Sequence, residues 1–243
     1  MQGVLVRGVL EGNDMSDGGH DVEFPVGSFD LPTELERFRT LRDSVVPEDV
    51  VTRMDRATAE LVASALADQV PAVGEAAPSF RLPNATGAEV SLDRLLADGP
   101  VVVSFYRGAW CPFCNLELRA LQQTLPQMRE LGAALVAISL QTPDNSLTMV
   151  ERHGLDFEVL SDVGGEVTRS YGLEFRLPEY LQESYELLGH PLPRFNGIDQ
   201  HTLPVPATFV VDRDSIIRFA YVNPDYMYRA DPADILAALR SIA

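Results

Sequence analysis

Val101-Val-Val-Ser-Phe-Tyr-Arg-Gly-Ala-Trp-Cys-Pro-Phe-Cys114 is the stretch that decides how this chain is read. Its first five residues form a short apolar run of the kind that a sheet buries on both faces. Beyond its cysteines, Leu116, Leu118, Leu121, Leu125, Met128 and Leu131 mark a helix from Cys111 to Leu131, with Pro126 as an expected kink. A cysteine pair thus stands where a buried strand hands over to a helix. A thiol at a helix start meets unpaired backbone N–H groups and the positive end of the helix dipole, and both favour the thiolate. Such placement lowers a thiol pKa from about 8.5 to anywhere around 3.5–7.5. Pro112 fits the first helical turn, where a missing N–H costs nothing, and stiffens the loop. Arg107 adds a cation nearby, and Trp110 and Tyr106 flank the pair.

The chain has only two cysteines, and both lie in this stretch. A bridge between them closes a very small loop and constrains the unfolded chain little, so their spacing serves chemistry rather than stapling. Two other readings compete with a redox dithiol. Half a zinc site needs two further ligands, and His20, His153, His190 and His201 include no pair at ligand spacing. Two inert, buried cysteines are the second, because a free thiol packs as a small hydrophobe. The strand-to-helix context favours the redox dithiol. No metal or other cofactor is expected.

Outward from this stretch, Ala134 to Leu140 reads as the next buried strand, followed by a helix over Asn145–His153, a strand over 158–160 and a helix over 165–171. Pro178 to Leu188 reads as another helix, followed by a Pro- and Gly-rich loop to Pro204; the whole insertion from Pro178 to Pro204 reads as a surface excursion, a lid being its alternative. Ala207–Val211 and Ile216–Val222 are adjacent strands joined by turn residues, and Pro232 to Ile242 is a closing amphipathic helix. Parallel strands with helical crossovers, then a hairpin, make an α/β domain of three layers around a mixed sheet. That domain spans 74–243. Residues 26–73 form a helical extension: Leu35, Phe38 and Leu41 in one run, then Val50, Val51, Met54, Ala57 and Leu61 after Pro47. Residues 1–25, rich in Gly and Asp, read as disordered.

A formal charge of −17 repels nucleic acid and anionic lipid, so neither is an expected partner. No window reaches the roughly 18 apolar residues of a membrane span, and the N-terminus lacks the features of a secretory signal. A cytoplasmic location is the expectation, with a homodimer through the helical extension as one option.

The residues Trp110-Cys-Pro-Phe-Cys114 after an apolar strand resemble the thioredoxin and glutaredoxin active-site loop. The longer stretch from Val101 is similar to the peroxiredoxin (alkyl hydroperoxide reductase/thiol-specific antioxidant) family, as are Gly74-Glu-Ala-Ala-Pro-Ser-Phe80 and Ala207-Thr-Phe-Val-Val-Asp212. The resemblance covers residues 74–243 and implies a thioredoxin-like fold. It also implies a thiol-dependent antioxidant enzyme that reduces peroxide through a Cys111–Cys114 disulfide, recycled by a thioredoxin-like donor. The departures are informative. Where the family motif has Pro, Thr and the peroxide-attacking Cys, this chain has Arg107, Cys111 and Cys114, and the family's later Arg falls on Pro206. Thioredoxin-like proteins place a cis-proline at the equivalent of Pro206, against the dithiol. By the thioredoxin pattern Cys111, the more exposed thiol, attacks a disulfide; by the peroxiredoxin pattern Cys114 attacks peroxide and Cys111 resolves it. A thiol–disulfide reductase and a non-enzymatic redox sensor are therefore the rival functions.

Overall fold

The computed structural model describes residues 29–242; the expected disorder of 1–25 lies outside them. Two helices come first, α1 (Leu31–Val45) and α2 (Glu48–Ala63). Asp30 caps α1 by accepting from the Thr33 N–H at 3.0 Å, and Pro47 opens α2. A short hairpin, β1 (Arg81–Pro83) and β2 (Glu89–Ser91), and the helix α3 (Leu92–Asp98) follow in a stretch where sequence periodicity pointed to no element.

The centre of the fold is a five-stranded sheet. It comprises β3 (Val101–Phe105), β4 (Ala134–Ser139), β5 (Glu158–Ser161), β8 (Ala207–Val211) and β9 (Ile217–Val222), in the spatial order β5-β4-β3-β8-β9. β3, β4 and β5 run parallel, and β8 and β9 are antiparallel to their neighbours. The parallel crossovers are the helices α4 (Pro112–Glu130) and α5 (Pro143–His153). After β5 come α6 (Glu166–Ser170) and an excursion framed by the hairpin β6 (Glu174–Arg176) and β7 (Thr202–Pro204). That excursion carries α7 (Glu179–Leu187) and α8 (Leu192–Asn196), and α9 (Pro232–Ile242) closes the chain.

β3 is buried along its whole length because both faces of the sheet are covered. Val102 joins Leu135, Ala137, Val159 and Val210 beneath α1, α4 and α9. Val101, Val103 and Phe105 join Val136, Ile138 and Phe209 on the other face, under Phe80, Leu92, Leu96 and Tyr171. Each such side chain contributes about 1.5–3 kcal/mol of burial, which fixes the inner strands. A third cluster of Leu177, Leu181, Tyr185, Leu192 and Leu203 lies in the excursion, with Met54 and Ala57 of α2 and Trp110 packed against it. The insertion 178–204, expected as a surface excursion that begins with a helix, has that helix and is a small structured lobe that packs on α2 and on the dithiol loop. Its apolar residues were legible, but their common face is built from segments distant in sequence.

Candidate functional site

β3 ends at Phe105, and the register with β8 pairs Phe105 with Ala207, which brings Pro206 alongside the start of the loop 106–111. No peptide bond among the described residues is cis, so the cis-proline expected at Pro206 is not there. The loop is tied down at Ala109, through both its N–H and its carbonyl. Ala109 donates its N–H to Gln141 Oε1 at 2.6 Å, and Asn115 Nδ2 donates to the Ala109 carbonyl at 2.9 Å. Gly108 has φ +152°, and a Cβ there would stand 2.4 Å from the Trp110 ring nitrogen. Glycine is what allows the indole to fold back over the loop.

Cys111 is the N-cap of α4 and Pro112 its first residue, as the residue pattern predicts. The Cys111 carbonyl accepts from the Cys114 and Asn115 N–H groups, both at 3.1 Å. Both thiols are free, and both are buried, at 1% exposure for Cys111 and 0% for Cys114. The expectation that Cys111 is the exposed member of the pair is therefore corrected. Phe38 of α1 covers the next turn, its ring edge-on to Phe113 at 5.3 Å, and Tyr226 packs on the other side of Phe113 at 5.6 Å.

Two buried arginines donate to the Cys114 sulfur, one from its backbone and one from its guanidinium. Arg107 donates its backbone N–H to Cys114 Sγ at 3.4 Å. Its side chain lies among the rings of Tyr226 (4.1 Å), Trp110 (5.2 Å) and Tyr185 (5.8 Å) and donates to the Tyr185 hydroxyl. Arg229 comes from the segment before α9. Its Nη2 donates to Cys114 Sγ at 3.4 Å, its Nε to Glu117 Oε2 at 2.7 Å, and its Nη1 to the carbonyls of Tyr226 and Tyr228. Glu117, one turn beyond Cys114 on α4, is itself buried.

These contacts set the proton inventory of the site. Burial, the largest influence, opposes ionisation of both thiols. For Cys111 it is outweighed by the hydrogen bond from Cys114 and the charges of Arg107 and Arg229, which bring its pKa down to about 6. For Cys114 burial is joined by the neighbouring thiolate, and the two push its pKa well above the ordinary range. Burial also pushes Glu117 up to about 7 in spite of Arg229. The pair therefore shares one negative charge, which these influences favour on Cys111, and Glu117 sits one turn beyond Cys114.

Of the residues singled out from sequence, Arg107, Trp110, Cys111, Pro112 and Cys114 meet in one place, and Pro206 lines a cavity with Arg107. Tyr226, which the sequence reading did not bring to the dithiol, lies inside the site, against Phe113 and the Arg107 guanidinium. Arg229 and Glu117 carried no signal that periodicity could isolate: a lone arginine in a loop, and one acid in an amphipathic helix. Glu117 was readable in one respect, as a charge on the face that its helix buries.

The fold and the site define a class: a thioredoxin-like α/β protein with a buried dithiol at the N-terminus of the first crossover helix. The AhpC/TSA family model matches residues 73–220, more than half of the chain, and the chain belongs to that family. It is similar to a putative peroxiredoxin of Mycobacterium tuberculosis, 28% identical over 170 residues, which covers 70% of this chain and 96% of the relative. Chloroplastic peroxiredoxin Q of Populus jackii is 27% identical, over 62% of this chain and 60% of that protein. Thiol-disulfide oxidoreductase ResA of Bacillus cereus is 24% identical over 58% of the chain and 65% of that protein. Among solved structures, peroxidoxin BcpB from Mycobacterium tuberculosis superposes with a TM-score of 0.57 at 28% identity, covering 70% of this chain and 97% of that one.

Proposed function

We propose that this protein is a thiol peroxidase that cycles between the Cys111–Cys114 dithiol and its disulfide. One arrangement carries the reading: two buried thiols share the N-terminal turn of α4, with Arg229 donating to both Cys114 Sγ and Glu117 and the Arg107 backbone N–H donating to the same sulfur; these cations and the Cys114 hydrogen bond favour the Cys111 thiolate. The relatives named as peroxiredoxins support a peroxide as the electron acceptor.

In the first step the Cys111 thiolate attacks one peroxide oxygen. The O–O bond breaks, the leaving oxygen takes a proton, and Cys111 becomes a sulfenic acid. The cations of Arg107 and Arg229 stabilise the negative charge as it moves onto that oxygen. Loss of the Cys111 charge also removes what held Cys114 protonated. Cys114 then passes its proton to Glu117, with Arg229 bridging the two, and its sulfur attacks Cys111. Hydroxide leaves and takes up a proton to become water, and the S–S bond forms. Two electrons have gone from the dithiol to the peroxide. A thioredoxin-like dithiol returns them by exchange, and a reducing cytoplasm suits that donor.

A second order of events is favoured by the two N–H donors on Cys114 Sγ and by its place in the family motif: Cys114 attacks and Cys111 resolves. Stopped-flow oxidation of the wild type, Cys111→Ser and Cys114→Ser by hydrogen peroxide decides between them. Rapid oxidation retained in Cys114→Ser and lost in Cys111→Ser is the expected result, and the reverse establishes the second order. Rapid exchange with a small disulfide beside sluggish reaction with every peroxide would make the protein a thiol–disulfide reductase. Thiols no faster than free cysteine toward either would leave the redox-sensor reading.

A further inference from the structure

A cavity of about 210 Å³ opens between the helical extension and the excursion. Its walls are mostly apolar, Met54, Ala57 and Leu61 of α2 facing Phe175, Leu177 and Leu181, with the hydroxyl residues Thr58 and Ser64 on the α2 side. It is larger than the ~150 Å³ apolar cavity that accommodates benzene. Arg107 lines it too, and at 3% exposure this is its most deeply buried cation. A guanidinium has five N–H donors. Here one side-chain bond runs to the Tyr185 hydroxyl, while Nε has no acceptor among the described residues. The groups that act most strongly on its charge are two phenols and the two thiols, not a carboxylate. Two charged side chains reach the cavity from more exposed positions, Arg176 and Glu60, and Glu60 is already engaged by Arg56 Nε at 2.8 Å and the Tyr180 hydroxyl at 2.7 Å.

An apolar chamber lined by a buried, under-satisfied cation is complementary to one ligand chemistry. We propose that this cavity binds an anion-headed, apolar-bodied small molecule, a medium-chain carboxylate, with its head on Arg107 and its body between α2 and the excursion. The helical extension is then a wall of a ligand site. The Cys111 thiolate and the ligand head compete for the same guanidinium, so the ligand binds tightest when the thiolate is absent.

The test uses the whole chain with octanoate as probe, octanol as the same body with a neutral head, and acetate as the head alone. Trp110, the single tryptophan, lies 5.2 Å from Arg107 and reports occupancy by fluorescence, with calorimetry as the second readout. In Cys111→Ser/Cys114→Ser, octanoate is expected to bind at least tenfold more tightly than octanol or acetate, and more tightly than to the reduced wild type. Arg107→Met is expected to lose that preference, and Ala57→Phe to lose binding by filling the chamber without touching the cation. Equal affinity for octanoate and octanol, or unchanged binding in Ala57→Phe, overturns the proposal. A further arm rests on the dithiol reading: peroxide-treated wild type, lighter by two hydrogens, should bind octanoate more tightly than the dithiol form. Equal binding by verified disulfide and dithiol forms overturns the competition for Arg107. Failure to form the disulfide counts against the peroxidase reading, while the double-serine measurements still decide the ligand site.

Discussion

Arg229 donates to the sulfur of Cys114 at 3.4 Å although 115 positions separate them in the chain. The same guanidinium holds Glu117 through Nε, so one side chain joins the second thiol to the acid beside it. Its charge offsets part of the desolvation of the Cys111 thiolate and of the Glu117 carboxylate.

Replacing that charge tests its share. Arg229→Met should raise the thiolate pKa by about one unit, equivalent to ~1.4 kcal/mol, and through the smaller thiolate fraction slow peroxide oxidation about twofold at pH 7 and about tenfold below pH 6. It also leaves Glu117 buried without its partner, which costs roughly 3–5 kcal/mol while the carboxylate is charged. Ultraviolet titration of the thiolate and chemical denaturation measure the two effects. Arg229→Lys should restore part of the first, and unchanged titration in Arg229→Met would remove Arg229 from the thiolate's environment.

Glu117→Gln separates the two chemical steps. Glutamine keeps the shape and accepts from Arg229, but takes no proton from Cys114. Oxidation of Cys111 should proceed at close to the wild-type rate, while disulfide formation slows by about 10²-fold, a typical contribution of a positioned base. A sulfenic acid then accumulates and is trapped by dimedone and weighed. If the disulfide closes at the wild-type rate, Glu117 does not receive the proton.

Stability should depend on pH with two limbs of opposite sign. Glu117 is raised in the fold, chiefly by burial, to about 7 from an unfolded value of ~4.3. Its contribution is complete below ~4.3 and is lost as pH rises through 7. Cys111 is lowered to about 6 against burial, by its Cys114 hydrogen bond and two arginines, from an unfolded value of ~8.5. Its contribution is complete above ~8.5 and is lost as pH falls through 6. Melting curves should therefore flatten on the first limb in Glu117→Gln and on the second in Cys111→Ser. A wild-type profile without either limb would contradict both assignments.

Phe38→Ala tests whether α1 shields the dithiol. The half-buried ring sits edge-on to Phe113, and its removal should cost about 2 kcal/mol, below the ~3–5 kcal/mol of a fully buried phenylalanine. Alkylation of the thiols by a small reagent should accelerate several-fold under native conditions. Loss of stability without faster alkylation would mean that access runs elsewhere.

Gly108→Ala should be destabilising beyond its size, since the added methyl meets the Trp110 indole at 2.4 Å. A lower melting temperature and a shifted Trp110 emission spectrum are expected. An unchanged spectrum would show that the ring does not rest on the loop.

The strands that build the sheet were legible because burial on both faces leaves near-continuous apolar runs, as in Val101–Phe105 and Ala134–Ser139. The helices α1, α2, α4 and α9 were legible from their apolar stripes. Among the pieces that escaped, β1, β2, β6 and β7 have three residues each and the helices α3 and α8 only seven and five, too short for a period to register. Pro206 adjoins the loop as the strand register requires, but through a trans peptide.

For the dithiol, the sequence by itself determined the cysteine spacing, the proline in the first turn and the helix start. These depend on local geometry, which a few consecutive residues dictate. Only the tertiary structure decided that both sulfurs are buried, that Arg107 lies in an aromatic cage, and that Arg229 and Glu117 meet at Cys114. Charge and burial act through space, and these groups come from segments as far apart as the dithiol loop, the excursion and the approach to α9. No local pattern encodes a distance across the folded chain.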